Sequence, residues 1–370
     1  MQFIDLQKQY RNLKERIDRR IQNVLDHGKY VLGPEVGELE EKLSEYVGVK
    51  HTIGVANGTD ALQLSLMALD VRPGDAVFTT TFTFFATGEA ISLAGAHPVF
   101  VDIDPATYNI HPAKLDEVIA KTIAEDKFKP RAVIAVDLFG LPADYDALST
   151  IAVKYGLSII EDAAQGLGGS INGKMAGSFG DIAATSFFPA KPLGCYGDGG
   201  AVFTDNDELA DKINALHVHG QGVDKFDNVR IGLNSRLDTI QAAILLEKLA
   251  EFPQELELRQ EIANRYSAAL KNQFHVPSVP VGYVSSWAQY TLRAKEGTRE
   301  GYIEKLKSAG IPSAIYYGKG MHEQTAFNTL GYKKGDYPVA EGMSSTVFSL
   351  PMHPYLDETD QRHIIDTILA

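Results

Sequence analysis

The chain has 370 residues, 44% of them apolar and 22% charged, which is the composition of a soluble globular protein of about two domains. Its net charge of −13 excludes nucleic acid or an anionic membrane surface as the main partner, while leaving room for a local basic pocket that takes an anionic small molecule. One cysteine, Cys195, excludes an internal disulfide framework, no cysteine–histidine cluster has metal-ligand spacing, and no apolar run approaches the ~18 residues of a membrane span.

The N-terminal MQFIDLQKQYRNLKERI alternates apolar and charged residues and lacks a signal-peptide core, so a cytoplasmic location is expected. Leu6, Tyr10, Leu13, Ile17, Ile21 and Leu25 recur at spacings of three and four, which predicts an amphipathic helix over residues 5–26. HGKYVLGPEV breaks it; His27, Lys29 and Tyr30 read as turn and surface residues rather than ligand contacts. A second helix is expected over 36–47. Strand candidates follow at 52–56, 76–80, 98–102, 132–138, 158–161, 183–188 and 201–204, with helical stretches between them at 61–68, 86–93, 112–123, 145–155 and 207–216. Such alternation implies an α/β fold with a mostly parallel sheet covered on both faces, whose ligands gather beyond the carboxyl ends of the strands. From Leu237 the pattern changes to a helix through Leu249, a charged helix over 256–270, and a smaller α+β part with strands at 290–294 and 313–317. The domain boundary is placed near residue 250, giving parts 1–250 and 251–370.

Four segments fall at strand ends. ANGTDALQL (56–64) turns at Asn57-Gly58, offers Thr59 and Asp60 as helix caps, and presents the free N–H groups that bind phosphate at a helix start; an ordinary capped turn is the alternative. TTFTFFATGEA (80–90) holds Phe82 and Phe84, either of which suits stacking on a flat ring or plain core packing. SIIEDAAQGLG (158–168) delivers Glu161 and Asp162 to opposite faces, so only one of them can meet a protonated ring nitrogen; a helix-cap acid is the plain reading. SFFPAKPLGCYGDGG (186–200) holds Lys191 between Ala190 and Pro192 with glycines at 194, 197, 199 and 200. That packaging suits an amine forming a Schiff base with pyridoxal phosphate, although a glycine-rich loop after a strand reads much the same. NSRLDTIQAAI (234–244) adds Asn234 and Arg236, whose forked donors suit an anionic group. Cys195 reads as a small packing residue.

Together these segments resemble the DegT/DnrJ/EryC1/StrS family of sugar aminotransferases, over essentially the whole chain, from FIDL and YVLGPEV through ANGTDAL, GDAVFTT, VFVDIDP, IIEDAAQ, SFFPAKPLGCYGDGGA and NSRLDTIQAAIL to SLPMHPYL. The resemblance implies a fold-type I, aspartate aminotransferase-like scaffold using pyridoxal 5'-phosphate. Carried over by position, Lys191 is the Schiff-base lysine and general acid/base, and Asp162 rather than Glu161 lies under the pyridine nitrogen. Gln165 meets the phenolic oxygen, Gly58, Thr59 and Ser186 form the phosphate cup, Phe84 stacks on the ring, and Asn234 reaches the phosphate of a neighbouring subunit. A homodimer with shared active sites is thereby implied. One branch of the family has histidine in place of the lysine and dehydrates; Lys191 favours transamination.

The resemblance further implies L-glutamate as amino donor and a nucleotide-linked keto-sugar as acceptor. The wording of the later motifs looks closest to the branch acting on UDP-2-acetamido-2-deoxy-3-keto-glucuronate for bacterial surface polysaccharide. That branch tends to read His-Tyr-Pro in a substrate loop, whereas this chain reads Tyr316-Tyr317-Gly318-Lys319. Lys319 or Arg236 is then expected to meet the sugar carboxylate. A UDP-4-keto-6-deoxy sugar is the alternative acceptor, and a non-catalytic sensor or scaffold is the remote one.

Overall fold

The structure is a computed structural model that describes residues 1–224 and 226–370. Two helices open the chain, α1 (Leu6–His27) and α2 (Pro34–Val47). Strands and helices then alternate as β1 (His51–Val55), α3 (Gly58–Ala68), β2 (Asp75–Thr80), α4 (Phe85–Leu93), β3 (His97–Val101), α5 (Pro112–Glu125), β4 (Lys129–Val136), α6 (Tyr145–Tyr155) and β5 (Ser158–Asp162). Two short strands, β6 (Ser170–Ile171) and β7 (Lys174–Met175), precede β8 (Ile182–Ser186), β9 (Gly200–Thr204) and α7 (Asp207–Leu216). The remainder comprises α8 (Thr239–Leu270), β10 (Tyr283–Val284), β11 (Tyr290–Arg293), α9 (Arg299–Ser308), α10 (Pro338–Thr346), β12 (Val347–Leu350) and α11 (Glu358–Leu369).

The main sheet has the order β1-β9-β8-β5-β4-β2-β3. All its strands run parallel except β9, which is antiparallel to both β1 and β8. Strand periodicity sends alternate residues to opposite faces. Ala132 and Ile134 therefore join the core under α3, α4 and α7, while Val133 and Ala135 join the one under α5 and α6. Helix α2 and the first half of α8 cover the β8–β9 end of that second face through Leu39, Leu43, Leu245 and Phe252. Helix α8 crosses residue 250 without a break, and its second half packs with α11, β11 and β12 through Ile262, Tyr266, Tyr290, Phe348 and Ile364. Further on, Met321, Phe327, Tyr337 and Met343 return to the large part and pack on Phe82, Phe100 and Phe139 at the strand ends.

Two local expectations are corrected. The strand expected at 313–317 is only an isolated bridge between Ala314 and Ser349. Pro312 opens this stretch without a ladder donor, and Tyr316 and Tyr317 turn their rings into the aromatic cluster at the strand ends instead of alternating across a sheet. Helix α3 begins at Gly58 and is capped by Asn57, whose Oδ1 accepts from the Asp60 N–H at 2.8 Å, not by Thr59 or Asp60. Asn57 lies in extended backbone, the conformation a cap requires, and Thr59 is already helical.

Candidate active site

Strand β8 ends at Ser186, β9 begins at Gly200, and the two residues pair directly. The intervening loop is therefore held at both ends by neighbouring strands. Within it the Phe187 N–H donates to Gly199 O, the Lys191 N–H to Phe188 O and the Cys195 N–H to Phe187 O, each at 2.8 Å. A Cβ at Gly194 would stand 2.6 Å from the carbonyl oxygens of Phe188 and Pro189, so the turn folds back too tightly for any side chain there. Cys195 is buried beside Phe187, Leu193 and Leu237, a packing role, and burial pushes its thiol up to about 11. Lys191 projects from this loop, half-buried, with no hydrogen bond to Nζ among the described residues. Burial lowers its amine below the ordinary lysine range, against an opposing pull from the Asp162 carboxylate.

The two carboxylates at the end of β5 part company as the pleat requires. Glu161 is fully buried on one face, where Oε1 accepts from the Gly177 N–H at 2.6 Å and Oε2 from the Phe179 N–H at 2.7 Å. Burial and the neighbouring Asp137 raise its pKa, so Glu161 is a structural acid fastened to a turn. Asp162 faces the other way, 5% exposed, and Oδ2 accepts from the Thr87 hydroxyl at 2.9 Å while Oδ1 accepts from the Ala164 N–H at 3.2 Å. Burial raises its pKa; the Thr87 hydrogen bond, the Lys191 charge and the Ala164 N–H work against that. A buried carboxylate facing one half-buried amine has room for a further cationic partner. Gln165 is fixed beside it: its Oε1 accepts from the Phe139 N–H at 2.7 Å, and its Nε2 donates to the Tyr317 hydroxyl at 3.1 Å.

Opposite Asp162, the start of α3 abuts the end of β8. A Cβ at Gly58 would stand 2.6 Å from Ser186 Cβ and 3.2 Å from its Cα. A Cβ at Gly200 would meet Asn57 C and O at 2.6 Å and Gly58 N at 2.9 Å. The N–H groups of Gly58 and Thr59 have no acceptor among the described residues. A helix start with free N–H groups, a serine hydroxyl and no intruding side chain is a cradle for a phosphate. A phosphate cradle, an amine and a buried carboxylate are the donor set that pyridoxal phosphate needs, so these residues fit it. For Gly58→Ala we expect affinity for pyridoxal phosphate to fall about tenfold or more and the melting temperature to drop, because overpacking costs roughly 1–3 kcal/mol. Titration of the cofactor-free protein with the cofactor checks this, and unchanged affinity would remove Gly58 from the cradle.

The remaining residues singled out in the sequence lie around this centre. Phe84 precedes α4 and is 56% exposed, its ring centroid 6.4 Å from that of Tyr317. Phe82 is fully buried and packs on Tyr108, Phe139 and Tyr317, which makes it core. Tyr316 lies between Phe3 and Tyr317, with ring centroids at 6.3 and 5.7 Å, and Lys319 is exposed. Asn234 is exposed and accepts from the Arg236 guanidinium; no hydrogen bond or ion pair joins either residue to Lys191, Asp162 or Ser186. Thr87 and the Phe139 N–H were missed by the sequence reading. The Thr83-x-x-x-Thr87 spacing, which brings a hydroxyl just before α4 to 3.3 Å from one in its first turn, is the signal that finds Thr87.

A family profile described as the DegT/DnrJ/EryC1/StrS aminotransferase family matches residues 11–369. The chain is 49% identical over 358 residues to the UDP-2-acetamido-2-deoxy-3-oxo-D-glucuronate aminotransferase of Pseudomonas aeruginosa, covering 96% of each. It is 53% identical, with a TM-score of 0.97, to a crystal structure of a DegT/DnrJ/EryC1/StrS aminotransferase from Brucella abortus, covering 100% of this chain and 98% of that one. A Bacillus subtilis structure with bound cofactor PMP, the amine form of pyridoxal phosphate, superposes with a TM-score of 0.88 at 30% identity over 97% of this chain and 81% of that one.

Proposed function

The chain belongs to the DegT/DnrJ/EryC1/StrS aminotransferase family, and we propose that the sugar it aminates is UDP-2-acetamido-2-deoxy-3-oxo-D-glucuronate, with L-glutamate as donor. It is a sugar aminotransferase that uses pyridoxal phosphate, and no helix among the described residues is long and apolar enough to cross a membrane. The observation that carries the reading is the convergence of a depressed amine at Lys191, a buried carboxylate at Asp162 and the Gly58–Ser186 cradle on one spot beyond the strand ends. The 49% identity to the Pseudomonas enzyme supports the acceptor.

When bound, pyridoxal phosphate supplies the aldehyde that carries the amine and the ring that accepts an electron pair. The protein's own groups do the rest. Gly58, Thr59 and Ser186 hold the phosphate through N–H and hydroxyl donors. Asp162, kept in place by Thr87 and Ala164, favours a proton on the ring nitrogen by facing it with negative charge. Gln165, clamped between Phe139 and Tyr317, would hold the cofactor's ring oxygen, and the exposed ring of Phe84 would stack on it. Lys191 Nζ, with its lowered pKa, would be the amine that holds the cofactor and, once released from it, the base and acid that moves a proton at the substrate's carbon. The net exchange is glutamate plus keto-sugar to 2-oxoglutarate plus amino sugar, which balances without another reactant. Lys319 or Arg236 meets the sugar carboxylate in place of the absent histidine.

A second subunit completing the site is supported by exposed apolar residues on the Lys191 loop and on the segment leading to Asn234: Phe188, Val223, Phe226, Val229 and Ile231, the last 90% exposed. They lie near the loop that carries Asn234, and a monomeric mass in solution would overturn the shared site. For the acceptor, we expect 2-oxoglutarate and a 3-amino sugar when the purified protein receives glutamate and the 3-keto acid. Turnover of only a UDP-4-keto-6-deoxy sugar in the parallel reaction would sink the assignment.

A further inference from the structure

Helix α8 lies directly behind the Lys191 loop and grips it with two side chains seven residues apart. Gln241 Oε1 accepts from the Tyr196 N–H at 2.8 Å, and Lys248 Nζ donates to the Gly194 carbonyl. Lys248 is 1% exposed, its amine 4.9 Å from the centre of the Tyr196 ring. Tyr196 in turn packs edge-on against Tyr10 of α1 at 6.0 Å. No carboxylate stands within ion-pair distance of Lys248 among the described residues; Glu255, the acid whose charge acts most on it, accepts from Gln9 and Tyr355. A buried ammonium without an ion pair is costly, and a methionine would fill the same space at less expense to the fold. The one acceptor this ammonium has belongs to the turn that carries Lys191.

We propose that Lys248 is a positioning residue for Lys191, its buried ammonium holding the Gly194 carbonyl against α8 and so fixing the reverse turn from which the Lys191 amine projects. This rests on the reading of Lys191 as the amine that engages pyridoxal phosphate. Three of the turn's anchors are backbone bonds within the loop, and those cannot set its distance from the rest of the fold. Gln241 and Lys248 can, because α8 is seated in the core through Ala242, Leu245 and Leu249.

Lys248 also titrates in a useful range. Burial brings its amine down to about 8, with Glu255 and Cys195 pulling upward and Arg259 downward. The facing groups on the loop lie higher, Cys195 at about 11 and Tyr196 at about 12, and Arg259 on the same helix is at about 10. Lys248 is therefore the first of these four to lose its proton as pH rises. Its folded pKa is below its unfolded value of 10.5, so its charge costs stability below about 8 and that cost is relieved as pH climbs from 8 to 10.5. A neutral amine, however, holds a carbonyl less firmly than an ammonium does. Fold stability and grip on the loop thus move in opposite directions, which a merely structural lysine would not produce.

The test titrates pyridoxal phosphate into cofactor-free wild type, Lys248→Met and Lys248→Arg on both sides of pH 8, with melting temperatures taken in parallel. The covalent product is fixed with borohydride and mapped by mass spectrometry. We expect Lys248→Met to bind about tenfold more weakly, the order for losing one hydrogen bond from a charged donor, with a melting temperature no lower than wild type's. Lys248→Arg keeps a permanent charge, so wild-type affinity should fall relative to this variant above pH 8. Wild-type affinity in Lys248→Met, or affinity and melting temperature lost together in both variants, overturns the proposal. Should the methionine variant fail to fold, Lys248→Gln takes its place in the same comparison. A wild-type product that maps elsewhere than Lys191 overturns the reading of Lys191 itself, and the Lys248 proposal with it.

Discussion

Lys191→Ala is expected to lose transamination altogether, with kcat down by at least about 10⁴-fold, because both the anchoring amine and the proton-transfer group disappear in one substitution. No neighbour can replace it. Lys248 is the buried lysine beside the loop, and its amine is turned away onto the Gly194 carbonyl. The signature is spectroscopic as well as kinetic. Wild type loaded with pyridoxal phosphate should be yellow and bleach with borohydride, and the alanine variant should lack that band while still melting as a folded protein. A variant that retains the borohydride-sensitive band would show that another amine carries the cofactor.

Asp162→Asn should leave the fold intact and slow turnover by about a hundredfold to a thousandfold, the scale on which a single buried electrostatic contact acts. Asparagine can still accept from the Ala164 N–H through its Oδ1 and donate from its Nδ2 to the Thr87 hydroxyl, which turns to accept, so the side chain keeps its place; what it loses is the negative charge facing the ring. The cofactor-free protein offers a control with a definite sign. Burial raises the Asp162 pKa above its ordinary 3.8, so the folded chain holds this proton more readily than the unfolded one. Its contribution to stability is therefore full below the ordinary aspartate range and is lost as pH rises through the raised value. The difference in melting temperature between the two proteins should grow in favour of the asparagine variant across that window. Near-normal turnover in the variant would take Asp162 out of the mechanism.

The central sheet was legible because its strands are buried on both faces and read as short apolar runs between periodic helices. The Lys191 loop was legible because proline and clustered glycines mark a turn under unusual constraint. The choice between Glu161 and Asp162 was not legible from the residues alone. Either acid serves equally until one knows which face of β5 meets the Gly177–Phe179 turn, and that depends on contacts made 16 and 18 residues later in the chain. Thr87 went unnoticed for a similar reason: it lies on α4, and its partner Asp162 ends β5, 75 residues away. The 313–317 segment failed as a strand because Tyr317 is claimed by Phe82 and Phe84, and Tyr316 by Phe3, all far away in sequence. In each case local pattern fixes an element, and a long-range contact decides what the element does.

The reversed strand β9 has a consequence for the order in which the molecule comes into being. Its partners are β1, through His51↔Thr204 to Val55↔Gly200, and β8, through Ala183↔Phe203 to Ser186↔Gly200. The helix start at Gly58 and the hydroxyl at Ser186 are thus stitched together by the last strand of the sheet to be made. A chain emerging from the ribosome holds the two walls of the cradle on strands not yet joined to each other, β1 alone and β8 on β5, until residue 204 is free. Loading of the cofactor is accordingly a late event in the life of each chain, one that waits for closure of a contact spanning some 150 residues of sequence.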